Sequence, residues 1–287
     1  MIHRRFFIGT ACAAATATAA RPALGHAAGH RELAELDPLE TMIRLRARSD
    51  GELSIAWLHA QRELVLDGEI TPFCALYALV LTKFRKEEDA YVGKTVEITY
   101  YCDPKTEDLL TTTTIRGGSG PVEVPIYRAG PMDVRFKRSL DEWERHEPAA
   151  QGASSGDFAP ASDVHLVRGV RDPYVLNGNF YLRADEYGRV YTDTTKPPVV
   201  FYREWLVWKA KAEDVLASDS PDVPSSFNYS AASGLRPWMK LEGKTGHTME
   251  NGVGGKVGSI GEVPPRLIAL LSENDPQAVQ SPESYFS

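Results

Sequence analysis

Short runs of alternating apolar and polar residues, joined by tight-turn dipeptides, recur along most of this chain and constrain its fold more than any other feature. From Thr41 onward the period is mostly two: Ile43, Leu45 and Ala47 alternate with Arg44, Arg46 and Arg48, and Asp50-Gly51 supplies a turn suited to antiparallel strands. Leu53 to His59 is apolar on both faces, as expected in the middle of a closed or sandwiched sheet. Asp67-Gly68 repeats the turn signal and leads into the run Phe73 to Phe84. Val96 to Cys102 alternates again, Asp103-Pro104 turns the chain, and Leu109 to Ile115 returns through four threonines, a composition suited to a half-exposed strand. Val122 to Arg128 and Val134 to Lys137 continue the meander. Such a succession of hairpins argues against a parallel α/β sheet.

Between Glu144 and Asp163 the chain turns rich in Pro, Gly, Ser and Ala, which reads as an irregular connection at 144–163, either a spacer or a lid. Strand patterns resume at His165 to Val170, Tyr174 to Leu182 and Arg189 to Thr192, with Glu186-Tyr187-Gly188 as the turn between the last two. Lys209 to Leu216 and Arg266 to Leu271, the latter led in by Pro264-Pro265, have helical character. The expected fold is mainly β, an antiparallel barrel or strongly curved sheet with a few short helices, a lipocalin-like barrel being one such arrangement.

The N-terminus adds an address. Arg4 and Arg5 precede Phe6, Phe7 and Ile8 and an uncharged run rich in Ala and Thr, the pattern of a twin-arginine export signal. Cleavage is expected after Ala27, leaving 28–287 as one barrel-like domain that is periplasmic or secreted, with the twin-arginine translocase as its partner during export. The whole chain carries 32 basic and 39 acidic residues, and residues 1–27 hold three arginines and no acid, so the mature net charge is about −10. That sign disfavours nucleic acid and anionic lipid, and no long apolar segment follows the signal to hold the mature chain in a membrane. Cys74 and Cys102 remain after cleavage, and the sequence leaves open whether they form a disulfide or two buried thiols.

The ligand spacings of a tightly held metal are missing, as are a phosphate loop and a Gly-x-Ser-x-Gly elbow, so no metal and no cofactor is expected. The glycines between Gly246 and Gly261 read as turns. Trp57 and His59 share one strand face with Leu53 and Ile55; if that face lines a cavity, His59 is an imidazole in an apolar pocket, placed to act as a base. Tyr101 stands where a strand meets a turn, and Arg116, like Arg128, stands near a strand end where it can hold an anionic group. Phe201, Tyr202, Arg203, Glu204, Trp205 and Trp208 form the densest aromatic segment. Alternation places Phe201, Arg203 and Trp205 on one face, an arrangement suited to a stacked aromatic or oxygenated ligand. Trp238, Lys240 and His247 offer a further wall.

Tyr101-x-Asp103-x-x-Thr106-x-x-x-Leu110, the preceding Leu45-Arg46-x-x-x-Asp50-Gly51, and Pro237-Trp238-Met239 in its aromatic setting resemble the exported bacterial family of domain of unknown function eighteen thirty-eight. The resemblance implies export and a similar fold over most of the mature chain, and it carries no activity. Two departures stand out: Glu107 occupies the place of an expected Gly after the turn threonine, and Gly117-Gly118 replaces a Trp-Asn-Pro type of turn.

Two functions follow as expectations. One is a cofactor-independent lyase or isomerase/dehydratase acting on a small aromatic or oxygenated hydrophobic metabolite, such as a lignin-derived fragment. His59 would be its base, with Tyr101 and Arg116 stabilising developing charge. The alternative is a barrel-type periplasmic protein that binds the same class of small hydrophobic ligand.

Overall fold

A computed structural model describes residues 32–88, 90–137, 143–146, 163–191, 200–216, 220–235, 237–239, 241 and 246–287. The export signal, the connection 147–162 and Lys240 lie outside the described residues. The strands are β1 (Ser54–Leu66), β2 (Glu69–Glu87), β3 (Ala90–Cys102), the short β4 (Thr112–Thr114) and β5 (Pro121–Glu123), then β6 (Tyr127–Lys137), β7 (Trp143–His146) and β8 (Asp163–Leu176). They continue with β9 (Asn179–Tyr191), β10 (Val200–Lys211), β11 (Ser226–Gly234) and β12 (Gly246–Val257). The helices are α1 (Pro38–Arg46), α2 (Ala212–Leu216), α3 (Pro265–Asn274) and α4 (Pro276–Gln280).

The protein is mainly antiparallel β with few short helices. Ten strands pair in the order β1-β12-β11-β10-β9-β8-β7-β6-β3-β2, and β2 pairs back onto β1, so the sheet closes into a barrel. β4 and β5 form a separate small hairpin between β3 and β6.

Inward residues are identified by a shared cavity. Ala78, Val80, Thr82 and Phe84 of β2, Met132, Val134 and Phe136 of β6, and Leu206 and Trp208 of β10 all line it, although their strands sit far apart in the sheet. One strand face therefore turns inward. Two plugs close the lumen. At one end α1 packs Leu39, Met42, Ile43 and Leu45 against Phe84, Phe136, Phe180 and Trp208. At the other, the 3-10 turn Pro237–Met239 packs Trp238 and Met239 against Leu64, Cys74, Leu76 and Tyr101. The opposite face of β1, β2 and β3 is covered by α3 and α4 through Leu267, Leu270, Leu271 and Ala278.

Several local expectations change. The Thr41 to Arg46 alternation belongs to α1. Asp37 caps that helix by accepting hydrogen bonds from the backbone N–H of Leu39 and Glu40, Pro38 fits its first turn, and Leu39, Met42 and Ile43 recur at helical spacing. The turn expected at Glu186-Tyr187-Gly188 lies inside continuous β9. Asn177-Gly178, both at positive φ, makes the β8–β9 hairpin instead, so the run Tyr174 to Leu182 straddles a turn. Part of the expected irregular connection is strand: β7 pairs with both β6 and β8. Lys209 to Lys211 extend β10, and only Ala212–Leu216 is helical. The glycines from Gly246 to Gly255 lie in β12, not in turns. Gly254 permits a close approach there, since a Cβ would stand 2.2 Å from the ring of Phe227, its cross-strand neighbour on β11.

Candidate functional site

The strand register places the polar inward groups in two rows. In one, Glu204 of β10 is opposite Ala231, Ala231 opposite Glu250, Glu250 opposite Arg62, and Arg62 opposite Cys74. In the other, Glu97 of β3 is opposite Val80, Val80 opposite Ala56, and Ala56 opposite Lys256. Between the rows lies a cavity of about 160 Å³. Phe84, Phe136, Trp208 and Phe227 give it aromatic walls, while Glu97, Glu204, Thr95, Tyr229 and Lys256 contribute polar groups. A cavity of about 150 Å³ is enough to hold one benzene-sized ring.

The first row is anchored by a buried ion pair. Arg62 and Glu250 are 3 % and 5 % exposed; Oε1 of Glu250 accepts from Arg62 Nε at 2.8 Å and lies 2.6 Å from Nη2, and Oε2 accepts from the Tyr229 hydroxyl at 3.0 Å. Burial alone would lower the Arg62 pKa, but the Glu250 charge together with Tyr101, Cys74 and the hydrogen bond to Glu250 holds the guanidinium well above its usual value. Burial, then the charges of Glu250 and Glu204, push the Tyr229 phenol well up and keep it protonated. Cys74, beside Arg62, is pushed up to about 12 by burial and is an inert thiol.

Lys256 anchors the other row to the α1 plug. Its Nζ donates to the carbonyls of Arg44 at 2.5 Å and Ala47 at 2.8 Å and pairs with Asp222 at 2.6 Å. These contacts satisfy carbonyls at the C-terminal end of α1, where a cation is favoured. Burial nevertheless lowers the Lys256 pKa to about 8.

The proposed catalytic trio is not assembled. His59 lies on the outward face of β1, stacked on its cross-strand neighbour Tyr77 with ring centroids 4.4 Å apart, so the face shared by Trp57 and His59 is not the lumen face. Tyr101 points the other way, into the upper lumen, between the guanidinium of Arg62 and the edge of Trp238. Arg116 is exposed and pairs with Glu69 at the barrel rim. Arg128 also has a structural partner: it holds Asp275, which accepts from Tyr100, and so ties the end of α3 to the sheet.

Trp57 packs against the cluster under the C-terminal helices and also contributes to the cavity lining. Arg203 and Trp205 stack on each other outside the lumen, the guanidinium 4.7 Å from the ring centroid, and Arg203 is exposed. Their segment mates Phe201 and Tyr202 belong to β10, but their side chains lie outside the described residues, as does Lys240. His247 is exposed. Trp238 of the ligand-binding set reaches the upper lumen, where it also stacks on Phe73. Cys74 and Cys102 are free thiols on opposite faces of β2 and β3, which accounts for their not pairing.

Sequence reasoning missed Arg62, Glu97, Tyr229 and Glu250 as lumen groups. A signal was available, since Arg62 and Glu250 interrupt apolar strand faces with charge. Among the described residues no three His, Cys, Asp or Glu side chains converge as a metal site, and no helix is long and apolar enough to cross a membrane.

No family model matches the chain, and no curated protein matches it. Among solved structures, the attachment invasion locus protein Ail of Yersinia pestis aligns over 72 % of this chain and 99 % of its own, at 9 % identity and a TM-score of 0.23. That likeness is too slight to bear on function.

Proposed function

We propose that this protein is an exported, lipocalin-like barrel that binds a small, partly aromatic and oxygenated hydrophobic molecule in its lumen. The observation that carries the reading is the cavity between the two plugs, with aromatic walls and a few polar groups converging on it, the usual make-up of a small-molecule site. The twin-arginine pattern at Arg4-Arg5 and the acidic mature chain suit work in the periplasm or outside the cell.

A second reading rests on its own observation. Glu97, Glu204 and Tyr229 share the cavity wall, and carboxyl and phenol groups are the equipment of acid-base lyase or isomerase chemistry. In that case these lumen groups replace His59, Tyr101 and Arg116 in the roles first assigned to them.

One experiment separates the readings. Purified mature protein is incubated with a pool of aromatic and terpenoid metabolites, and mass spectra are recorded of the protein-bound fraction and the solution. A compound retained unchanged supports the binder. A new product that disappears in Glu204→Gln or Glu97→Gln supports the enzyme, and neither retention nor product refutes both.

A further inference from the structure

The upper lumen contains two buried donors that find no hydrogen-bond acceptor among the described residues. Among the described residues, Nη1 of Arg62 and Nε1 of Trp238 are both sealed from solvent and have no hydrogen-bond partner. Arg62 is 3 % exposed and Trp238 7 %. Buried donors almost always have a partner, and an unmet one costs about 1–3 kcal/mol, more when it is charged. Both residues pack on the same ring: Cζ of Arg62 lies 5.0 Å from the Tyr101 centroid, and the Trp238 ring lies 5.7 Å from it, edge-on.

The charge around these donors narrows what they accept. Glu250 already neutralises Arg62 through Nε and Nη2, and its second oxygen is taken by Tyr229. Nη1 therefore faces away from the occupied carboxylate. A second anion here would place two negative charges around one buried guanidinium, whereas a neutral carbonyl, ether or hydroxyl oxygen supplies an acceptor without that repulsion. Tyr101, Trp238 and Phe73 add an aromatic surround for the carbon skeleton bearing that oxygen.

We infer that the upper lumen, between Arg62 and Trp238, is a subsite for a neutral oxygen acceptor on an aromatic ligand, an aryl ketone or a close analogue. The inference rests on the lumen being the binding site and specifies the chemistry of the ligand at one end of it. The plug bearing Trp238 is then part of the recognition surface as well as a closure.

The test uses the full mature chain, uniformly labelled with nitrogen-15, and two indole N–H resonances assigned through Trp238→Phe and Trp208→Phe. Trp238 reports the upper subsite and Trp208 the lower cavity. Acetophenone, benzoate and toluene are the probes, matched in ring but differing in acceptor. The expected result is a downfield shift of the Trp238 resonance with acetophenone, and binding about ten-fold tighter than toluene, the difference one good hydrogen bond makes. Trp238→Phe keeps a ring in place and narrows that preference several-fold. Equal affinities for acetophenone and toluene, with shifts at Trp208 alone, overturn the subsite and leave the lumen reading standing. Tighter binding of benzoate overturns the choice of a neutral acceptor. A water cross-peak at the Trp238 indole that persists under saturating acetophenone shows that an ordered water serves these donors, and also overturns it. No shift at either indole with any probe overturns the lumen reading and the subsite together.

Discussion

The two faces of the β1, β2 and β3 wall differ in what they bury. Outside, Ile55, Leu79, Leu81 and Ile98 meet Leu267, Leu270 and Leu271 in an apolar interface, and the conspicuous polar group at its edge, Asp275, is held by both Tyr100 and Arg128. Inside, Arg62 and Glu250 are buried as charges, Glu97 and Glu204 reach a cavity, and two donors have no partner among the described residues. Apolar burial explains most of the outer face, where His59 Nε2 is the buried side-chain atom without a partner among the described residues. Burying charge is costly and is weak grounds for stability, so the inner face is the one whose composition calls for a function.

The sharpest way to break this comparison is to remove one key contact from each face. Arg62→Met leaves Glu250 buried without its cation and should cost about 3–5 kcal/mol in urea unfolding, while adding Glu250→Leu should recover much of that loss. A double variant no better than the single one would mean that the pair is not coupled as described. On the outer face Leu271→Ala, at a fully buried position, should cost about 2–5 kcal/mol by leaving a cavity, and should leave ligand capture intact. Tyr100→Phe removes the hydroxyl that donates to Asp275 at 2.5 Å and should cost about 1.5–3 kcal/mol, the range for a hydrogen bond to a charged group.

A smaller effect concerns the α1 plug and pH. Burial lowers the Lys256 pKa to about 8 from its usual 10.5, so between those values the unfolded chain binds more protons there than the folded one. Its contribution to stability therefore rises with pH across that window, by at most about 1.4 kcal/mol per pH unit. The buried thiols and phenols have raised values and oppose this from about pH 9 upward, which leaves pH 8 to 9 as the clear interval. Over it, the stability of the native protein relative to Lys256→Met should climb; a flat difference would place Lys256 in a more solvated setting. The least effect is expected from His59→Ala. It loses a ring stack on the outer face worth about 0.5–1.5 kcal/mol and should not alter ligand capture.

How far the sequence reveals this molecule depends on the element. The turn at Asp67-Gly68 has both residues at positive φ and joins β1 to β2 as its composition implies. The antiparallel character follows from such turns. β1 hides more, because its central residues are apolar on both faces. Alternation groups Trp57 with His59 but does not say which face looks inward; that is decided by α3 and α4, more than 200 residues away in sequence. α1 was hidden by a coincidence of periods: over a few residues Ile43, Leu45 and Ala47 fit a strand while Leu39, Met42 and Ile43 fit a helix. The departure at Glu107 has a physical meaning. Its φ is +62°, a conformation that favours glycine, and the backbone there is secured by a hydrogen bond from Glu107 N–H to the Asp103 carbonyl and by Arg266 donating to the Glu107 carbonyl. The candidate site was the least legible part, since it combines residues from seven strands brought together only by barrel closure.

The central claim is that the inner face does the binding, and paired variants test it directly. Ala78→Phe fills the cavity from β2, while His59→Ala alters the outer face of the same wall. Each folded variant is exposed to the metabolite pool and the retained compounds are measured by mass spectrometry. Retention lost in Ala78→Phe and kept in His59→Ala is the predicted result; retention that survives filling of the cavity and disappears with His59 would contradict it.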